Sequence, residues 1–104
     1  MARKPQFGPS SDPEMLILTS LADGPKHGYA IMQDIERFAA TTLGPGTLYA
    51  AISRLVEKGR IHPEPVQDRQ RPYRITKDGV VSLSEELERM RKIAKFGLRR
   101  LSFS

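Results

Sequence analysis

The sequence predicts a mainly α fold with one small β ribbon, and three observations predict it. Apolar residues recur at helical spacing through three segments of the first 58 residues, each bounded by glycine or proline. Prolines at 63, 65 and 72 then forbid a long helix over residues 60–76. Beyond Gly79 the helical period returns and runs to residue 101.

The elements follow in order. Residues 1–11, "MARKPQFGPSS", read as a flexible arm whose Arg3 and Lys4 are either solvated or touch a phosphate backbone. The first helix opens at Asp12-Pro13, an aspartate suiting the cap and a proline the first helical position. It is apolar on nearly all sides through Met15, Leu16, Ile17, Leu18 and Leu21, so either its own domain or a partner must bury it. "DGPKHG", residues 23–28, ends it as a turn. A second helix spans about residues 28–40, with Ile31, Ile35 and Phe38 inward and Gln33, Asp34, Glu36 and Arg37 outward.

The third helix, about 45–58, is bracketed by Gly44 and Gly59, with Pro45 in its first turn. On a helical wheel Leu48, Ile52, Leu55 and Val56 form one stripe. Thr47, Ala50, Arg54 and Glu57 lie opposite, flanked by Ala51 and Lys58 on one side and Tyr49 and Ser53 on the other. Residues 60–76 read as a two-stranded ribbon anchored by Ile61, Val66, Tyr73 and Ile75, its prolines suiting edge strands. Arg69, Arg71 and Arg74 make its tip basic. In the last helix Val80, Leu83, Leu87, Met90, Ala94, Leu98 and Leu101 step by three or four residues, close to a heptad seam fit for dimerisation. Glu85, Glu86 and Glu88 precede Lys92, Lys95, Arg99 and Arg100 along it, in accord with the helix dipole. The resulting organisation is an arm over 1–11, a domain over 12–76, a helix over 77–101 and a tail over 102–104.

Three helices followed by a ribbon is the order a winged helix-turn-helix requires. The outer face of the third helix suits a DNA major groove, being slender at its start, where bases approach, and basic further on. Thr47, Tyr49, Ala50, Arg54 and Lys58 are its candidate DNA contacts, and the amides near Gly46 and Thr47 are free to hold a phosphate. Arg69, Arg71 and Arg74 are the candidates in the wing, where such residues position rather than specify. Two roles stay open for Tyr49, a hydroxyl on phosphate or the edge of the core. Tyr29 reads as packing against the third helix.

Composition narrows the alternatives. Seventeen Lys and Arg against 12 Asp and Glu give a formal net charge of +5, which favours a polyanionic partner. No cysteine is present, which removes thiolate catalysis and thiolate metal sites and agrees with a reducing cytoplasm. His27 and His62 stand apart without an acidic pair, so neither a metal nor another cofactor is expected. "GPG" at 44–46 lacks the lysine of a nucleotide-binding loop, and no nucleophile sits beside a histidine–acid pair, so no enzyme is expected. Apolar runs of a few residues predict no membrane span and no signal peptide. The rival reading is a protein-interaction module that grips another chain through its last helix. The basic ribbon and the mixture on the third helix favour DNA over it.

In order along residues 15–79, "DGPKHGYAIMQDIE", "LGPGTLYAAISRLVEKGRI" and "RPYRITKDG" closely resemble the PadR family of transcriptional regulators. The resemblance implies a dimeric winged-helix DNA-binding protein, usually a repressor, whose last helix makes the dimer. It places Gly46, Thr47, Leu48 and Tyr49 at the start of the recognition helix and Tyr73, Arg74, Ile75 and Thr76 after the wing. Ala50 stands where the family often has proline, and the single C-terminal helix points to the short subgroup. Some short relatives hold a flat aromatic drug between the halves of the dimer with a tryptophan. This chain has no tryptophan, and Phe96 and Phe103, read first as dimer packing, are the aromatics left to line such a cleft for a small aromatic effector.

Overall fold

The computed structural model describes residues 12–102. The expectations for the 1–11 arm, for Arg3 and Lys4, and for Phe103 lie outside the described residues. The elements are α1 (Pro13–Leu21), β1 (Lys26–His27), α2 (Gly28–Ala39), α3 (Pro45–Glu57), β2 (Ile61–Pro63), β3 (Pro72–Ile75) and α4 (Lys77–Leu101).

Helix α1 starts where Asp12 accepts a hydrogen bond from the Glu14 amide (3.1 Å), with Pro13 fixing φ in the first turn. The chain itself buries all five of its large apolar residues, which settles what covers this helix. Ser20, buried on the same helix, donates to Asp34 Oδ2 (2.8 Å). Asp34 therefore turns partly inward instead of facing water, because a buried hydroxyl without a partner costs about 1–3 kcal/mol. Ile31 and Ile35 of α2 are fully buried, but Phe38 is 46% exposed, so the inward face of α2 closes a turn earlier than its spacing suggests.

Helix α3 packs Leu48, Ala51, Ile52 and Leu55 into the core, while Val56 is only half-buried. Ala51 thus belongs to the inner stripe, not its flank. The helix ends in a Schellman motif: Gly59 at φ 74 donates to the Val56 carbonyl (3.0 Å) and Arg60 to that of Leu55 (2.9 Å).

The ribbon proves to be a three-stranded antiparallel sheet in the order β1-β3-β2. β2 and β3 pair Ile61 with Ile75, His62 with Arg74 and Pro63 with Tyr73. β1, two residues inside the stretch read as a turn, pairs Lys26 with Tyr73 and His27 with Pro72. A two-residue strand has no period to detect, and His27 immediately becomes the cap of α2, accepting from the Ala30 amide (3.3 Å). Pro72 consequently opens a central strand rather than an edge, where the first position tolerates the missing donor. Val66 anchors nothing: it is exposed and lies outside the strands.

Thr76 caps α4. Its hydroxyl accepts from the Gly79 amide (3.1 Å) and donates to the Gly59 carbonyl (2.7 Å), tying the end of α3 to the start of α4. Leu83 is buried in the chain's own core and Met90 packs against it. Those two leave the seam that spacing alone assigns to a dimer. From residue 91 onward every described residue of α4 is exposed.

Candidate nucleic-acid interface

The outward surface of α3 is built from Gly46, Thr47, Ala50, Ser53 and Glu57, all exposed. Leu48 makes the first intrahelical bond, to Gly44 (2.9 Å), so the amides of Gly46 and Thr47 precede the ladder and are free to meet an anion. Slender side chains keep the backbone of the first two turns open to a close approach.

Arg54 and Lys58, one turn apart, lie on the flank nearest α1. Arg54 Nε donates to Glu14 Oε2 and Lys58 Nζ to Glu14 Oε1, each at 2.8 Å. The outer-face position read for Arg54 is corrected accordingly: both cations are drawn sideways by one carboxylate. Burial would raise the pKa of Glu14, but the hydrogen bonds from Lys58 and Arg54, and then their charges, outweigh it and hold the carboxyl below its ordinary value. Glu14 escaped the sequence reading because 40 residues separate it from Arg54, and no local spacing connects them.

On the opposite flank, Tyr49 reaches back to the start of α2. A Cβ on Gly28 would collide with the Tyr49 hydroxyl and lie 2.6 Å from its Cζ, so a glycine is what lets the ring lie there. Tyr49 nonetheless stays 48% exposed, packed at one edge and open at the other. Tyr29 is exposed rather than packed on α3. With Tyr73, Arg69 and Arg71, these residues line a groove of about 170 Å³ between the start of α2, the flank of α3 and the wing. Burial raises the pKa of the Tyr73 phenol and the nearby Tyr49 raises it further, partly offset by Arg71, so its hydroxyl stays protonated as a donor.

The wing tip closes through reciprocal backbone bonds between Gln67 and Gln70 (2.7 and 2.8 Å). Asp68 and Arg69 between them both have positive φ, 48 and 66, as a type I′ hairpin turn requires. Glu64 organises the other two arginines: Arg74 Nε donates to its carboxylate (3.0 Å) and Arg71 Nη1 to its carbonyl (2.7 Å). Arg69 has no ion pair among the described residues.

The exposed half of α4 carries a shallow cleft of about 460 Å³ beside Ile93, Phe96 and Gly97, with the Arg100 guanidinium 4.5 Å above the Phe96 ring. Among the described residues no group of three or more His, Cys, Asp or Glu is placed to hold a metal, and no helix is long and apolar enough to cross a membrane.

A three-helix core with a basic hairpin beside its third helix is a winged helix-turn-helix fold. The chain belongs to the transcriptional regulator PadR-like family, whose profile matches residues 17–85. It is 42% identical over 85 residues to an uncharacterized 37.1 kDa protein in transposon TN4556 of Streptomyces fradiae; the match covers 82% of this chain, which spans only 25% of that relative. A solved transcriptional regulator from Clostridium thermocellum superposes with a TM-score of 0.72 at 27% identity, covering 83% of this chain and 89% of that one. A PadR family transcription regulator from Clostridium difficile gives 0.75 at 24% identity, over 86% and 97%. Bacillus subtilis PadR, solved in complex with operator DNA, gives 0.63 at 22% identity, over 71% and 45%.

Proposed function

We propose that the protein binds double-stranded DNA as a homodimer and represses transcription by occupying a roughly palindromic operator. The observation that carries this reading is the groove in which Tyr49 of α3 meets Arg69 and Arg71 of the wing: one duplex can touch helix and wing together. In it α3 enters the major groove with Gly46, Thr47 and Ala50 towards the bases. Tyr49 and the wing arginines Arg69, Arg71 and Arg74 hold the sugar-phosphate backbone, and Arg54 and Lys58 meet the groove wall. Bacillus subtilis PadR, of the same fold, is solved in complex with operator DNA, which supports DNA as the partner.

The dimer forms through α4, whose Val80, Leu87, Leu98 and Leu101 are exposed apolar side chains needing cover, with Ala94 between them. Ile93, 71% exposed, and Phe96 extend that surface beyond the heptad positions. Two copies related by a two-fold axis present two α3 helices to successive major grooves, so the natural site is two-fold symmetric. A flat aromatic effector that loosens the dimer would enter beside Phe96.

Selection of bound sequences from a random duplex library tests this reading. The expected result is an enriched two-fold site bound about a thousand-fold tighter than random duplex. Weak, steeply salt-sensitive binding with no enriched site would instead leave the positive charge as general affinity and turn attention to a protein partner for α4.

A further inference from the structure

We propose that Glu14 is a positioning residue for DNA recognition, holding Arg54 side-on so that its guanidinium meets the duplex with both terminal nitrogens free. The inference rests on the reading of α3 as the DNA-reading helix and adds a residue that lies outside both α3 and the wing.

The geometry supplies the argument. Glu14 takes Arg54 through Nε, the one guanidinium nitrogen that plays no part in a terminal fork. The two Nη atoms, with four N–H donors, have no other partner among the described residues, and the side chain is half exposed. That free fork matches the O6 and N7 acceptors of guanine, a contact that only a selected sequence offers. Lys58 occupies the second carboxylate oxygen, so Glu14 is held from both sides and has little freedom to let Arg54 swing. Glu14 itself is only 18% exposed and stands in the first turn of α1, where the Asp12 cap and the buried Met15 fix the backbone. An exposed arginine otherwise samples many rotamers, and fixing one in advance removes that entropy cost from binding. Glu57, three residues along α3, would make an i,i+3 partner for Arg54; the arginine takes Glu14 instead, which keeps it off the central outer face.

The proposal predicts the opposite sign from simple charge. Removing an acid near phosphates should tighten all DNA binding, specific and random alike. If Glu14 positions Arg54, Glu14→Gln instead weakens binding to the selected operator by about five- to tenfold, while affinity for random duplex is unchanged or rises. The decisive comparison is a double-mutant cycle with Arg54→Ala, using full-length protein, the selected operator, a random duplex and fixed salt. Arg54→Ala alone lowers operator affinity, and adding Glu14→Gln to it causes no further loss. Glu14→Asp, which keeps the charge on a shorter arm, restores part of the operator affinity. Thermal melts confirm that each variant is folded at the assay temperature.

Should Glu14→Gln raise operator and random affinity alike while Arg54→Ala still weakens the operator, positioning is wrong and the reading of α3 stands. An additive loss in the double variant also overturns it, because Glu14 would then act independently of Arg54. An Arg54→Ala variant with full operator affinity removes the contact itself and takes the proposal down with that part of the proposed function.

Discussion

Arg69 sits at φ 66 at the tip of the wing, a conformation in which an L residue other than glycine, asparagine or aspartate is uncommon. The left-handed region costs such a residue about 1–2 kcal/mol, and Asp68 beside it tolerates that region better. No ion pair among the described residues compensates for it. Stability alone would favour glycine here. The proposed function gives the arginine its use, as a wing cation on the DNA backbone. Arg69→Gly is therefore expected to stabilise the fold by about 0.5–1 kcal/mol in denaturant unfolding while weakening binding to the operator. A variant that gains stability with no loss of DNA affinity would leave the strained arginine without this explanation. At this scale the sequence is legible for what neighbours decide: Asp12, Pro13, Gly59 and Thr76 all act at helix ends where local chemistry puts them. It is not legible for Glu14 or for the fit of Tyr49 against Gly28, because both depend on helices brought together only by the fold.

Helix α4 shows how far periodicity reads an element. Spacing identifies one apolar face but does not say what covers each position on it. The structure divides that face: Leu83 and Met90 serve the chain's own core, whereas Leu98 and Leu101 are 67% and 75% exposed. Substitutions at the two ends should separate accordingly. Leu83→Ala leaves a cavity against α1 and is expected to cost about 2–5 kcal/mol of folding stability. Leu98→Lys combined with Leu101→Lys places charges only where the second copy would pack. It should convert a dimer to a folded monomer in sedimentation velocity, with little change in the circular dichroism of the winged domain. A doubly substituted protein that still sediments as a dimer would move the interface elsewhere. The wing illustrates the converse limit. Its two longer strands carry apolar anchors that the sequence displays, but β1 is only Lys26 and His27, and its pairing arises from β3 lying beside it.

For the whole molecule, the distribution of charge matters more than the total of +5. Five cations, Arg54, Lys58, Arg69, Arg71 and Arg74, belong to α3 and the wing, while a second group, Lys92, Lys95, Arg99 and Arg100, follows along α4. Only the first group faces the duplex in the proposed arrangement. Each phosphate neutralised adds about −0.9 to the slope of log K against log salt. Five contacts from each of two protomers would set a limit near −9, and the arginines shared with Glu14 and Glu64 would bring the measured value below it in magnitude. The absolute slope therefore tests little, but its ratio between dimer and monomer tests the assembly. A two-fold complex engages the same cations twice, so the Leu98→Lys, Leu101→Lys monomer should bind random duplex with about half the slope of the wild type. Binding weakens as well, because tethering the second α3 makes its contact intramolecular. The measurement is a fluorescence-anisotropy titration at several salt concentrations, performed on both proteins with one duplex. Equal slopes would mean that one protomer supplies every phosphate contact, and the two-fold docking would be wrong even if the dimer itself is real. A halved slope, accompanied by loss of preference for the selected operator, would tie specificity to the pairing of two α3 helices through α4.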